Sequence, residues 1–237
     1  MKSELKGTKL VEIPYLAQEL SETGKKVLII GERIGNEGIV ETIFEKTQDI
    51  LCTDIMELRA DSILEGIIKE TPTVRFIQGD FITFDETVKY DYIVCINVLE
   101  HFGMNFTKRP MFTDNKICEE DHVIKWNYDM KAIDKMVKLL APTGKIIITV
   151  PCGNPVLSGD CDPVTTMPFL RRYDYLRIGK IKELIENLKC KLTESFYYSQ
   201  NFVDWMEAEI EISHPQNIGL HNPFSPNVIW AFTITKQ

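Results

Sequence analysis

The order of apolar and amphipathic segments in this chain of 237 residues predicts an α/β fold. The expected architecture is a doubly wound, mostly parallel seven-stranded sheet with helices on both faces and an antiparallel strand pair at the C-terminal end. Three observations predict it. Five runs of five or six residues, rich in Val and Ile, are nearly continuous in apolar character, as strands buried on both faces are. Most of them are separated by segments whose apolar residues recur at spacings of three and four. Beyond about residue 176 this alternation gives way to one helical segment and two runs of β-forming residues.

The five strands are expected at residues 26–30, 50–54, 74–78, 92–96 and 145–150. Helices are expected at 37–46, 60–70 and 127–140, the last on the spacing of Ile133, Met136, Val137 and Leu140. Ala141-Pro142-Thr143-Gly144 follows it, where proline and glycine end a helix and turn the chain. A further helix is expected at 177–188, and the runs 194–205 and 228–235 read as the antiparallel pair. Two long connections, 102–125 and 151–175, exceed the usual loop length and mark functional or disordered segments; a Pro/Asn-rich connection at 214–227 is a third. The length suits one domain over residues 1–237.

Composition excludes several function classes. Lys and Arg number 27 against 35 Asp and Glu, a formal charge of −8. Such a chain lacks the basic surface that displaces counterions from nucleic acid, and an anionic membrane would repel it. No apolar run approaches the roughly 20 residues that span a bilayer. The first residues carry no apolar signal core, so a cytoplasmic location is expected. Six cysteines are scattered without a CxxC pair, which favours reduced thiols and no metal site.

Polar turns follow the first four strands, on the edge where an open α/β sheet binds its ligands. The first is Gly31-Glu32-Arg33-Ile34-Gly35-Asn36-Glu37-Gly38. Its glycines allow a sharp turn and close approach of a ligand to a helix N-terminus, although a plain structural turn remains open. Asp54 ends the second strand, 23 residues after Gly31, where an acid accepts hydrogen bonds from both hydroxyls of a ribose or simply caps a helix. Gln78-Gly79-Asp80-Phe81 follows the third strand and Asn97-Val98-Leu99-Glu100-His101 the fourth.

Together these stretches resemble the class I, Rossmann-like S-adenosylmethionine-dependent methyltransferases over about residues 25–200. The matching segments are Val27-Leu28-Ile29-Ile30-Gly31, Cys52-Thr53-Asp54, Gln78-Gly79-Asp80-Phe81, Asn97 to His101, and Gly144-Lys145-Ile146-Ile147-Ile148-Thr149-Val150. The resemblance implies a methyltransferase with S-adenosylmethionine as cofactor. Gly31, Glu32 and Gly35 would lie against its methionine part, with Asn97 beside them. Asp54 would hold the ribose, Asp80 the adenine amino group, and Phe81 would pack near the ring. The chain departs from the family at Ile29, where an acid is frequent, and at Arg33, where glycine is frequent.

Methyl transfer to a hydroxyl needs the acceptor aligned and its proton removed. His101, at the carboxyl edge, is the first candidate base and His122 the second; a packed turn histidine and a solvated loop histidine are the competing readings. Trp126, Arg171, Arg172 and Tyr173 are candidates for holding the acceptor, since Arg offers a bidentate fork to an anion. The long loops 102–125 and 151–175 would then cover the acceptor. The expected partner is a small polar substrate, such as a sugar, a polysaccharide precursor or a phosphate-bearing intermediate, with a homodimer left open. Two rival readings share the fold. One is a methyltransferase-like binding or scaffold protein without catalysis, which the departures at Ile29 and Arg33 favour. The other is an NAD-dependent oxidoreductase, which would want a tight GxGxxG turn.

Overall fold

The computed structural model describes residues 7–32, 38–104, 125–153, 171–199, 204, 206–207 and 228–237. The parallel strands are β1 (Val27–Ile30), β2 (Ile50–Asp54), β3 (Val74–Gln78), β4 (Tyr90–Ile96) and β5 (Leu140–Pro151). The helices are α1 (Lys9–Glu19), α2 (Ile39–Phe44), α3 (Ile63–Glu70), α4 (Tyr128–Leu139) and α5 (Tyr175–Asn187). Strands β6 (Cys190–Tyr198), β7 (Met206–Glu207) and β8 (Val228–Lys236) complete one sheet in the order β3-β2-β1-β4-β5-β8-β6-β7. Strands β1 to β5 pair in parallel, and β8 inserts antiparallel between β5 and β6. The order reverses between β1 and β4, which places a ligand crevice at the carboxyl ends of those two strands.

The continuous apolar strands serve two cores at once. In β1, Leu28 and Ile30 join a cluster with α4 and α5, whereas Val27 and Ile29 join one with α1, α2 and α3. In β5, Ile146, Ile148 and Val150 face the first cluster and Ile147 the second. A strand that is buried on both faces has no polar alternation to show, which is why these runs read as unbroken hydrophobic segments.

Three features differ from the sequence expectation. The sheet has eight strands rather than seven, because the run expected at 194–205 ends as β6 at Tyr198, and β7 pairs beside it through Tyr197 and Tyr198. Strand β5 begins at Leu140, so the expected Pro142–Gly144 turn is absorbed into it. The register shifts between Tyr90 and Tyr92 where Gly144 packs, with room for no Cβ beside the Asp91 carbonyl. Helix α1 was not expected. It carries Pro14 in its interior, but Val11, Ile13, Tyr15 and Leu16 bury its inner face, and that packing outweighs the lost hydrogen bond. Among the described residues no helix is long and apolar enough to cross a membrane.

Candidate active site

The chain leaves β1 through Gly31, whose φ of 78° belongs to the left-handed region that glycine enters freely. Its N–H donates to the Thr53 carbonyl at 2.7 Å, tying the ends of β1 and β2 together. A Cβ at this position would overlap the Val98 side chain, so close packing of the first and fourth turns requires glycine here. Glu32 follows, buried, and its charge adds to burial in pushing the Cys52 thiol pKa up. Arg33 and Gly35 lie outside the described residues.

Asp54 and Asp80 stand half-buried at adjacent strand ends. The Asp54 carbonyl accepts the Gly79 N–H at 2.8 Å, so the two turns are held side by side. Each carboxylate also caps its own turn: Asp54 Oδ1 accepts from the Met56 N–H at 2.8 Å and Asp80 Oδ1 from the Ile82 N–H at 2.9 Å. A carboxylate has lone pairs for further donors, so capping fixes its direction without exhausting it. Phe81 is only 4% exposed and meets Phe102 edge to face at 6.1 Å, with the Lys135 ammonium over its ring.

The fourth turn is the most heavily constrained. Asn97 adopts φ 55°, a conformation that asparagine tolerates better than most residues, and its N–H donates to the Thr149 carbonyl at 3.1 Å and to its Oγ1 at 3.2 Å. Thr149 Oγ1 in turn donates to Glu12 Oε1 at 3.2 Å. Glu12 Oε2 receives the Thr8 hydroxyl at 3.2 Å and the Lys9 ammonium at 2.9 Å. Helix α1 therefore brings a buried carboxylate and a buried cation to the carboxyl edge. The sequence carried one signal for this: Glu12 lies four residues before Leu16, on the apolar stripe of an amphipathic segment.

Glu100 and His101 form a short 3-10 turn, Leu99–His101, after β4. Glu100 is 1% exposed and its Oε2 has no hydrogen-bond partner. Burial pushes its carboxyl up to about 8; Glu12 adds to the rise, while its own backbone, Lys9 and Arg171 oppose it. The His101 side chain is 25% exposed, with Nε2 3.9 Å from Glu100 Oε1. His122 lies outside the described residues, as do residues 105–124 and 154–170 of the two long connections.

The remaining candidates gather around Asp129, a fully buried carboxylate on α4. It receives the Tyr173 hydroxyl at 3.2 Å and Arg177 Nε at 3.0 Å, and pairs with Arg171 Nη1 at 2.7 Å. Arg171 also donates to the carbonyls of Trp126 and Phe102 and through its backbone to Glu100, so it clamps the fourth turn to the start of α4. Tyr173 is enclosed, bridging to Cys152 at the end of β5. Trp126, Arg171 and Arg172 line a cavity of about 220 Å³ beside this cluster.

Comparison with protein-family models and with curated proteins gives no match. Solved structures do match. The YcgJ protein from Bacillus subtilis aligns over 95% of this chain and 98% of its own, with a TM-score of 0.57 and 13% identity. N-methyltransferase NodS from Bradyrhizobium japonicum aligns over 94% and 93%, at 0.53 and 15%. The chain has the fold of the class I methyltransferases. A third relative, the 1,6-didemethyltoxoflavin-N1-methyltransferase of Burkholderia thailandensis, aligns over 94% of this chain and 77% of its own at 0.56 and 13% identity. That structure holds bound 1,6-didemethyltoxoflavin and S-adenosylhomocysteine. In this methyltransferase fold the four turns after β1 to β4 occupy neighbouring positions on one sheet edge, because the strand order there is β3-β2-β1-β4.

Proposed function

We propose that the protein transfers the methyl group of S-adenosylmethionine to an oxygen of a small polar acceptor. The observation that supports this best is the placement of Gly31, Asp54, Asp80 and Asn97 at the carboxyl ends of four adjacent strands, on a methyltransferase fold. The residues fit the cofactor. Two half-buried carboxylates, fixed side by side, suit the ribose hydroxyls and the adenine amino group, and the left-handed backbones of Gly31 and Asn97 turn the chain away from the crevice. Neighbours of the same fold are crystallised with S-adenosylhomocysteine.

The cofactor supplies an electrophilic methyl carbon. The chain's own part is to align and to move a proton. Asp54 accepts hydrogen bonds from the ribose and Asp80 from the adenine, while Glu32 and Gly31 lie against the amino-acid end. His101 Nε2 takes the proton of the acceptor hydroxyl, His122 being the second candidate base. Trp126 and Arg172 hold the acceptor; the connections 102–125 and 151–175, expected to cover it, lie mostly outside the described residues. The four described cysteines are free thiols, which supports action in the cytoplasm.

Calorimetric titration with S-adenosylhomocysteine tests this reading. Saturable one-to-one binding is expected, with none for NAD. Absence of binding to the folded protein would overturn it.

A further inference from the structure

Among the described residues, the lining of the cavity of about 220 Å³ is rich in cations, in a chain whose formal charge is negative. Four cations line it, Arg171, Arg172, Arg177 and Lys180, against one carboxylate, Asp174. Asp174 is committed to the start of α5, where its Oδ1 accepts the Arg177 N–H at 2.8 Å. Asp129 holds Arg171 and Arg177 from beneath, so these two guanidinium groups keep their positions without a ligand. Even counting Asp129, the described residues here hold four cations against two carboxylates. In a protein of formal charge −8, that local excess marks a place built for an anion rather than a solvated face.

A further observation points to a ligand. Trp126 and Leu176, 47% and 58% exposed, leave apolar surface open on the same cavity. The volume lies below the roughly 300 to 1,000 Å³ of sites that enclose a whole drug-sized ligand, so the cavity takes one end of a molecule. The backbone N–H of Arg171 donates to the Glu100 carbonyl at 3.1 Å, which places this cavity next to the turn that carries His101.

We propose that the cavity binds an oxyanion of the methyl acceptor, a phosphate or a carboxylate, and that an apolar or aromatic part of the same molecule lies on Trp126 and Leu176. The word acceptor rests on the methyl-transfer reading; the anion site does not. Guanidinium forks and an ammonium supply charge-assisted donors, and the flat indole supplies the apolar wall.

Calorimetric titration with phenyl phosphate, benzoate and uncharged benzyl alcohol tests the proposal. At least one anion should bind saturably and benzyl alcohol should not; the tighter anion distinguishes phosphate from carboxylate. Lys180 is exposed on α5, so Lys180→Glu leaves the core intact and should weaken anion binding at least tenfold. Trp126→Ala should weaken phenyl phosphate more than inorganic phosphate. Failure of both anions to bind, or equal binding by Lys180→Glu and the parent, overturns the anion site. S-adenosylhomocysteine titrated into the same samples separates the two readings. Anion binding without cofactor binding removes methyl transfer and keeps the site, and the reverse result removes the site alone.

Discussion

Glu100 is where sequence and environment disagree most sharply: an acidic residue almost fully buried, with one oxygen unpartnered and its carboxyl pushed up to about 8. Folding therefore takes up a proton at this group between its ordinary value near 4.5 and about 8. Its contribution to stability is fully present below about 4.5 and is lost as pH rises through about 8, because the unfolded chain then binds fewer protons than the folded one. Glu100→Gln should flatten the pH dependence of the denaturation midpoint across this window and stabilise the protein relative to the parent at pH 9; an unchanged slope would contradict it. Asp54→Ala should weaken S-adenosylhomocysteine by tenfold or more, the loss of roughly 1.5 to 3 kcal/mol of charge-assisted hydrogen bonding, as read by calorimetry. His101→Ala should slow turnover by about 10²- to 10⁴-fold with cofactor affinity nearly unchanged; equal rates would move the proton to another group. The positions of Asp54, which closes β2, and of His101, in the turn after β4, could be read from the sequence because both follow recognisable strands. Glu12 could be marked on the apolar stripe of its segment, but its meeting with Thr149 depends on where α1 docks.

At the scale of elements, legibility follows how many faces are buried. Strands β2 and β3 match the sequence reading residue for residue, because Ile50-Leu51-Cys52-Thr53-Asp54 and Val74-Arg75-Phe76-Ile77-Gln78 are bounded by polar turns at both ends. Strand β5 was misjudged at its start, where Pro142 and Gly144 signal a turn locally while pairing with Tyr90 extends the strand back to Leu140. Helix α1 was hidden by Pro14, which weakens any local argument for a helix. The start of α5 shows tertiary and local effects acting together. Asp174 caps it through the Arg177 N–H, and Asp129 anchors the Arg177 guanidinium. Asp174→Ala should cost about 0.5 to 2 kcal/mol, the usual range for a lost N-cap. Asp129→Ala should cost more, about 3 to 5 kcal/mol, since it strands the buried Arg171 without its counter-charge. Urea denaturation ranks the two; a larger loss for Asp174→Ala would mean that Arg171 finds another partner.

For the whole molecule, the sheet order joins what the sequence could only list separately. Four polar turns far apart in the chain become neighbours because β1 and β4 are adjacent at the reversal of strand order, so the fold class and the gathering of these turns at one edge were both readable before the structure. The cationic cavity was less readable, because Arg171 and Arg177 are held in place by Asp129, which lies far earlier in the chain. If the edge binds the cofactor product in the folded state alone, binding must raise thermal stability by mass action. At a concentration 100 times its dissociation constant, S-adenosylhomocysteine should add about 2.7 kcal/mol. For a chain of 237 residues this corresponds to a rise in Tm of roughly 5 to 10 °C. Asp54→Ala should lose about half of that rise or more at the same concentration, because its larger dissociation constant lowers the saturation ratio, while NAD should produce none in either protein. Differential scanning calorimetry reads all four samples. A Tm that rises equally with both ligands would favour a generic adenosine-binding edge over a methyltransferase site, since the adenosine part is what the two share.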